Sequence, residues 1–224
     1  MQRNLQHSSV VTDNLMELIQ QDRSDIVFVQ EPYLYQNKTA GITRTHRIYT
    51  SNEEKHRTTI IIASENIDAV LIKQLSERDT VVIEMRYKNI RILTASISFD
   101  INEEIDKKKA KVNERLRCNK GSGILIAMDS NSRSTAWHDS LTNSRGKTLE
   151  EYLISRDLHI MNEESEQTTF QSRRGRSNID LTIVNSRPLK NFNDWEISKD
   201  ESCSDHNILK FRIGHETNHA PQRN

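Results

Sequence analysis

Short runs rich in isoleucine and valine recur along the chain, and they constrain its fold more than any other feature. Each run has the length of a single β-strand, and several are apolar at successive positions instead of alternating with polar residues. Strands of that kind are buried on both faces, so we predict sheets that are covered on both sides. The runs comprise residues 26–29, 58–63, 80–85, 90–97, 124–128, 179–184 and 208–213.

Between some of these strands, apolar residues are spaced as on one face of a helix. Other strands follow one another directly, and Lys88-Asn89 between two of them is typical of a hairpin turn that joins antiparallel strands. This mixture favours an α/β fold, in which two packed mixed β-sheets are flanked by helices, over a doubly wound parallel sheet. The helical stripes are Val11, Leu15, Leu18 and Ile19; Ile101, Ile105, Val112 and Leu116; and Leu149, Tyr152 and Leu153.

The composition sets limits on domain number, compartment and partners. The 224 residues suffice for one domain with a sizeable core, which we expect to span residues 1–214, with a disordered polar tail at residues 215–224. Lys+Arg and Asp+Glu both number 32, so any nucleic acid would have to be bound by a local basic patch. The two cysteines are too few for a disulfide framework, and no run has the length of a membrane span. We therefore expect an intracellular protein without a membrane partner.

Polar side chains lie at the ends of several predicted strands, just after some and at the start of others, where loops hold side chains over a rigid scaffold. Each has an ordinary use as well: an Asp-x-Asn segment often caps a loop, and a glutamate before proline is often a solvated loop residue. Their occurrence at one strand end after another is what favours function. The residues are Asn4, Glu31, Asp129, Asn131, Asp180, Asp205 and His206.

Three of these residues can form a metal site. Glu31 and Asp205 are carboxylates at the ends of different strands, and Asn4 offers a neutral oxygen or an adjacent hydrogen-bond partner. Mg²⁺ prefers oxygen ligands, keeps several waters and needs only one or two carboxylates. We therefore predict a magnesium site at Glu31 and Asp205, with Asn4 beside it.

The other four residues can act on a phosphate. Asp129 can align or deprotonate a water, and Asn131 can donate its amide to a phosphate oxygen. Asp180 lies in an apolar strand, where a carboxylate needs a partner, and His206 can be that partner while it stabilises developing charge. A single histidine is more often structural, but the ordered series favours a metal-dependent phosphodiesterase.

A series of motifs extends along nearly the whole chain: Asn4-Leu5-Gln6, Val29-Gln30-Glu31-Pro32-Tyr33, Met128-Asp129-Ser130-Asn131, Ser134-Thr135-Ala136-Trp137, Thr168-Thr169-Phe170, Ser177-Asn178-Ile179-Asp180-Leu181-Thr182 and Ser204-Asp205-His206-Asn207. The series resembles the endonuclease/exonuclease/phosphatase superfamily, which includes deoxyribonuclease I and the apurinic/apyrimidinic endonucleases. Within that superfamily it most resembles the endonuclease domain of non-LTR (LINE-type) retrotransposons. The resemblance extends from residue 1 to about residue 213.

The resemblance implies a deoxyribonuclease I-like four-layer α/β sandwich. It also implies an Mg²⁺- or Mn²⁺-dependent endonuclease that nicks one strand of double-stranded DNA and leaves a 3′-hydroxyl, from which reverse transcription is primed. Such a domain would be monomeric or part of a longer polyprotein with a reverse transcriptase, and it would act in the nucleus. The implied roles are metal binding by Glu31, Asp205 and Asn4, water positioning or service to the leaving group by Asp129, phosphate contact by Asn131, and orientation of His206 by Asp180.

Two further features bear on contact with DNA. The resemblance places Ser98 where family members usually carry a tyrosine whose hydroxyl reaches the phosphate. Loss of one such donor lowers a rate by about a hundred-fold. The segment with Arg173, Arg174 and Arg176 resembles the hairpin that enters the minor groove in retrotransposon endonucleases, although it can also be an ordinary basic hairpin tip.

Two other functions remain open on the sequence alone. Ser98 is compatible with a catalytically weakened or domesticated DNA-binding remnant of such a domain. The same fold can also serve a phosphatase that acts on a phospholipid or inositol phosphate headgroup. That activity usually needs apolar membrane-facing loops or dedicated basic phosphate motifs, and the sequence shows neither.

Overall fold

The computed structural model describes residues 1–87, 90–105, 123–186 and 192–214. Within these ranges, two six-stranded sheets are flanked by two α-helices. The helices are α1 (Ser9–Asp22) and α2 (Ser144–Ser155). The strands are β1 (Gln2–Asn4), β2 (Ile26–Gln30), β3 (Leu34–Tyr35), β4 (Lys38–Thr39), β5 (Arg47–Tyr49), β6 (Thr58–Ile62), β7 (Asp68–Leu71), β8 (Thr80–Tyr87), β9 (Ile90–Ser98), β10 (Gly123–Asp129), β11 (Leu158–Ile160), β12 (Phe170–Ser172), β13 (Gly175–Ser177), β14 (Asp180–Asn185), β15 (Phe192–Ile197) and β16 (Leu209–Ile213).

Both large sheets are mixed, as predicted. The first has the strand order β15-β16-β1-β2-β6-β5 and the second the order β11-β14-β10-β9-β8-β7. Strands β1 and β2 are parallel, and α1 lies between them in sequence. Strands β9 and β10 are also parallel, whereas the other pairs within the two sheets are antiparallel. Two short hairpins, β3–β4 and β12–β13, lie outside the sheets.

Strand β10 shows how its sequence builds two cores at once. Its apolar run alternates between the two faces of the sheet, because successive side chains of a strand point in opposite directions. Ile124 and Ile126 pack into the core that contains the apolar face of α2. Leu125 and Ala127 pack into the core between the two sheets, with Phe28 of β2. A third core joins α1 to the first sheet. Three cores between four layers confirm the predicted α/β sandwich.

The two helices begin at capping residues that the sequence supplies. Ser8 accepts a hydrogen bond from the Val11 N–H, and Asn143 accepts one from the Gly146 N–H. Gly146 leaves room for the chain, since a Cβ there would lie 1.7 Å from the Arg133 carbonyl oxygen. Both helical stripes that fall within the described residues are buried as predicted.

Each run that was predicted as a strand lies in the interior of a sheet. Strands β8 and β9 are antiparallel neighbours, as expected, although Lys88-Asn89 itself lies outside the described residues. Most of the predicted stripe from Ile101 to Leu116 and the predicted tail at residues 215–224 also lie outside them. No helix in the described part of the chain is long and apolar enough to cross a membrane.

Candidate active site

Three neighbouring strands of the second sheet reach the same edge of the sheet, and each has a polar residue there. Asp129 at the end of β10 pairs with Ser98 at the end of β9 on one side and with Asp180 at the start of β14 on the other. The facing sheet ends nearby, because the Asn4 amide donates to Asp129 Oδ2 at 2.9 Å. The candidate site therefore lies where the two sheets meet at one edge.

Buried polar contacts join the two sheets next to this edge. Gln30 donates to Ser96 Oγ at 3.1 Å, and Ser96 in turn donates to the Val29 carbonyl oxygen at 3.0 Å. Gln2 donates to the Met128 carbonyl oxygen at 3.2 Å. These side chains are buried, so their bonds fix the spacing of the sheets directly beneath Asp129.

Asp180 and His206 form a buried pair in the site. Asp180 Oδ2 lies 2.9 Å from His206 Nδ1. The imidazole also packs edge-on against the Phe170 ring, with 4.9 Å between ring centroids. A hydrogen bond to Nδ1 fixes the orientation of the ring and leaves Nε2 for another partner.

The buried charges alter the protonation of two groups. Burial alone would lower the pKa of His206, but Asp180, Asp129 and Glu31 outweigh it and raise that pKa to about 9. Burial and the charge of Asp180 raise the pKa of Asp129 to about 7; Glu31 adds to this rise, while His206 and Asn4 oppose it. His206 is therefore a cation near neutral pH, and the site still carries an excess of negative charge.

That excess fits a divalent cation. Potential ligand atoms of Asp129, Asp180 and His206 all lie within 4.8 Å of one another. Asp180 Oδ1 is buried and has no hydrogen-bond partner among the described residues. Buried carboxylates without enough partners are costly unless a cation or protons compensate them. The donor set, dominated by carboxylates, is of the type that hard divalent ions prefer.

All three predicted metal ligands lie outside this group of three residues. Glu31 is partly exposed, and its carboxylate contacts the Arg57 guanidinium at 3.2 Å. Asp205 is exposed; its N–H donates to Gln6 Oε1, and its carbonyl oxygen accepts from Gln171. The third, Asn4, is buried and contacts Asp129 rather than Glu31. Their roles as ligands stay predictions.

Asn131 lies in the loop directly after β10 and is held there from two sides. Its side-chain amide donates to the Phe99 carbonyl oxygen at 2.9 Å, and its own carbonyl oxygen accepts from Arg145 Nε at 3.2 Å. An amide nitrogen carries two hydrogens, so the contact with Phe99 leaves one for a phosphate oxygen.

Ser98 is fully buried beside Asp129, and its hydroxyl has no hydrogen-bond partner within the described ranges. The predicted basic hairpin is strands β12 and β13, and Arg173, Arg174 and Arg176 are all exposed on it. Its base contacts the His206 loop, because Phe170 forms an isolated β-bridge with His206. The hairpin therefore stands next to the site.

The family model described as Endonuclease-reverse transcriptase matches residues 92–210, which is more than half of the chain. The matched region contains Ser98, Asp129, Asp180 and His206. The chain belongs to this family. Its endonuclease domain is of the LINE type within the endonuclease/exonuclease/phosphatase superfamily, as the motif series predicted.

Comparisons with individual proteins agree with this endonuclease family. The chain is 23% identical over 185 residues to a retrovirus-related Pol polyprotein from type-1 retrotransposable element R1 of Bradysia coprophila, covering 77% of this chain and 18% of that protein. It is 23% identical over 219 residues to a putative 115 kDa protein in type-1 retrotransposable element R1DM of Drosophila melanogaster, covering 93% of this chain and 21% of that protein. The chain thus spans about a fifth of the length of these relatives.

Among solved structures, the chain is similar to the endonuclease domain of TRAS1, a telomere-specific non-LTR retrotransposon. The two superpose with a TM-score of 0.86 at 25% sequence identity, and the match covers 96% of this chain and 97% of that one. The similarity therefore extends over nearly the whole chain.

One residue at the site, Arg57, does not appear among the sequence candidates. It contacts Glu31 and directly precedes β6. The pattern of polar residues at strand ends indicated carboxylates, amides and a histidine, but no cation. A basic residue at the start of the predicted strand at 58–63 is the signal that could have found it.

Proposed function

We propose that this domain is a divalent metal-dependent DNA endonuclease that nicks one strand by phosphodiester hydrolysis and leaves a 3′-hydroxyl. The observation that carries the proposal is the buried Asp129–Asp180–His206 group in a chain of the endonuclease-reverse transcriptase family. In this proposal the 3′-hydroxyl primes reverse transcription during retrotransposition.

The proposed chemistry assigns a separate task to each buried group. Asp129, with a pKa of about 7, accepts a proton from the attacking water or serves the leaving oxygen. His206, a cation with a pKa of about 9, stabilises charge on the phosphate oxygens while Asp180 holds its ring. Asn131 donates its remaining amide hydrogen to the phosphate. The bond between phosphorus and O3′ breaks.

In this proposal Mg²⁺, or Mn²⁺, is held by Glu31 and Asp205, with Asn4 beside them. The ion would neutralise carboxylate charge and stabilise the charge that develops on the phosphate. We favour these ligands over the three buried residues because His206 Nδ1 already contacts Asp180 Oδ2 at 2.9 Å, so neither of these two atoms is free to bind an ion. Glu31 and Asp205 are accessible to a hydrated ion.

Double-stranded DNA is the proposed substrate. The exposed arginines of the β12–β13 hairpin stand beside His206, where they can bind phosphates or a narrow groove. A basic hairpin thus stands beside an acidic site, where it can bind a polyanion.

The biological setting is part of the proposal. One relative that the chain matches is a Pol polyprotein of a retrotransposable element, and another is a protein of such an element. We infer that the domain works as part of such a polyprotein together with a reverse transcriptase, and that it acts on chromosomal DNA in the nucleus.

Dependence on a divalent ion is the first expected result. Purified protein should convert supercoiled plasmid to the relaxed circular form in Mg²⁺ or Mn²⁺, and excess EDTA should stop the reaction completely. The rate should return when Mg²⁺ is added back in excess of the chelator. Nicking that persists in EDTA, or that no divalent ion supports, would contradict the proposal.

A catalytically weakened domain is the second candidate, and the buried, unpartnered hydroxyl of Ser98 favours it within the described residues. We expect Ser98→Tyr to raise the nicking rate by about 10- to 100-fold, because a tyrosine hydroxyl at the end of β9 can reach the phosphate. Ser98→Phe is the matched control, since it fills the same space without a hydroxyl. Equal rates for these two variants and the wild type would show that position 98 does not limit catalysis.

A further inference from the structure

Arg57 joins Glu31 through two separate contacts. The Glu31 N–H donates to the Arg57 carbonyl oxygen at 2.8 Å, and Arg57 Nη2 donates to Glu31 Oε1 at 3.2 Å. Glu31 has a φ of 47°, in the left-handed region that costs free energy for a residue with a side chain. Such a conformation persists only where surrounding contacts maintain it, and Arg57 supplies one to the backbone and one to the carboxylate.

The other end of the Arg57 guanidinium is anchored on different carboxylates. Nη1 donates to Asp100 Oδ2 at 3.1 Å and lies 3.8 Å from Asp79 Oδ1. The Arg57 side chain is only 14% exposed. A guanidinium is a rigid planar fork, so its two terminal nitrogens keep a fixed separation between Glu31 and Asp100. An ammonium group is a single point and cannot bridge them in this way.

Asp100 connects this contact to the rest of the site. It follows β9, and its carbonyl oxygen accepts from Arg145 Nη2 at 3.2 Å. The same Arg145 donates through Nε to the Asn131 carbonyl oxygen at 3.2 Å. Arg57 therefore links the loop that carries Glu31 to the loops that carry Asp100 and Asn131.

We propose that Arg57 is a positioning residue that holds the Glu31 carboxylate in place for the divalent ion. The inference rests on the proposed function, in which Glu31 is a metal ligand. The contact with Arg57 uses Oε1, and a carboxylate has a second oxygen to offer an ion. Arg57 acts through Glu31 and not on the substrate.

Arg57→Lys tests the inference because it keeps the positive charge and removes only the planar guanidinium group that bridges Glu31 and Asp100. Binding of Mn²⁺ to DNA-free protein is followed by electron paramagnetic resonance of the free ion. We expect the Mn²⁺ dissociation constant to rise about 10-fold, as is typical when a residue that orients a metal ligand is altered. In nicking assays the apparent Mg²⁺ constant should rise to a similar extent, with the KM for DNA within about two-fold.

Arg78→Lys is the matched control. Arg78 contacts Asp79 at 3.2 Å, so it belongs to the same acidic group, and its side chain is 47% exposed. The Arg78→Lys protein should bind Mn²⁺ with an unchanged dissociation constant. If both lysine variants weaken Mn²⁺ binding equally, or neither does, the inference is overturned.

A double-mutant cycle tests whether Arg57 acts through Glu31. In a Glu31→Gln background, Arg57→Lys should cause no further loss of Mn²⁺ affinity. An undiminished effect in that background would show that Arg57 acts elsewhere.

Arg57→Gln covers the case in which the lysine variant folds poorly. Removal of a positive charge would by itself tighten Mn²⁺ binding, whereas loss of positioning weakens it. Weaker binding supports the inference, and tighter binding overturns it. If the wild-type protein neither binds Mn²⁺ nor nicks DNA, both the proposed function and the inference are wrong. If the wild type binds Mn²⁺ and nicks DNA and the Arg57→Lys protein behaves like it, only the inference is wrong.

Discussion

Asp129→Asn should lower the nicking rate by about a thousand-fold while the metal-free protein becomes more stable. The rate falls because an amide can neither accept a proton from water nor assist the leaving oxygen, and such proton transfer contributes roughly 10²- to 10⁴-fold. The amide is nearly the same shape as the carboxylate and can still accept the hydrogen bond from Asn4. The KM for DNA should therefore change little, and the loss should appear in kcat.

The gain in stability follows from the pKa of Asp129. Burial and Asp180 raise this pKa from 3.8 to about 7, so the folded protein binds the proton more tightly than the unfolded chain does. Stability contributed by the protonated carboxyl is present below pH 3.8 and is lost as the pH rises through about 7. An asparagine has no proton to lose, so the variant avoids this loss.

At pH 8 in EDTA, we expect Asp129→Asn to increase the free energy of unfolding by on the order of 2 kcal/mol. For a domain of this size, that corresponds to a rise in Tm of about 4–8 °C. The difference from wild type should shrink as the pH falls toward 4, and added Mg²⁺ should stabilise the wild type more than the variant. A variant less stable than wild type at pH 8 would show that the negative charge of the site is already compensated.

Replacement of His206 should have a similarly large effect on catalysis by a different route. We expect His206→Ala to nick DNA at least about a thousand-fold more slowly, because it removes the cation aimed at the phosphate. It also leaves Asp180 buried without its partner, which lowers stability. His206→Gln is therefore the better probe, since its amide can still donate to Asp180 but carries no charge.

Asp180→Asn tests whether catalysis needs the positive charge of His206 or only its imidazole ring. The histidine stays in place, but loss of the neighbouring carboxylate removes the largest contribution that raises its pKa. The variant should lose most of the activity above pH 7 and regain part of it as the pH falls. Wild-type rates in either His206→Gln or Asp180→Asn at pH 8 would exclude His206 as the group that stabilises the transition state.

Much of the sandwich could be predicted from the sequence because its interior strands are apolar on both faces. All the runs of isoleucine and valine proved to be interior strands, whereas the edge strands β5, β7, β11 and β15 and the short hairpin β3–β4 were not predicted. An edge strand pairs on one side only and carries polar residues; in β15, Asn193 and Asp194 are exposed and the register shifts beside them. Its pattern therefore does not differ from that of a loop.

The contact between Asp180 and His206 could be predicted from the sequence, but the other contacts of the candidate site could not. The position of a polar residue at the end or the start of a strand indicated Asp129, Asp180 and His206, which the structure brings together. The partner of Asn4 could not be predicted this way. The sequence placed Asn4 beside a predicted metal site at Glu31 and Asp205, whereas its amide contacts Asp129, which is far away along the chain and on the facing sheet.

Arg57 illustrates the same limit. Its significance depends on the simultaneous approach of Glu31 and Asp100 from two different sheets, and no local pattern encodes that approach. The pKa of Asp129 likewise depends on burial and on the distances to other charges, which only the packed structure defines.

The end chemistry of the nick tests the central claim most directly. Wild-type protein and Asp129→Asn are incubated with supercoiled plasmid in Mg²⁺, and a DNA polymerase without nuclease activity is then supplied with labelled nucleotides. The wild-type nick should be extended at once, without prior phosphatase treatment, while Asp129→Asn and EDTA-treated wild type yield no labelled product. Extension that requires prior removal of a 3′-phosphate, or equal labelling with Asp129→Asn, would contradict hydrolysis at this site to a 3′-hydroxyl.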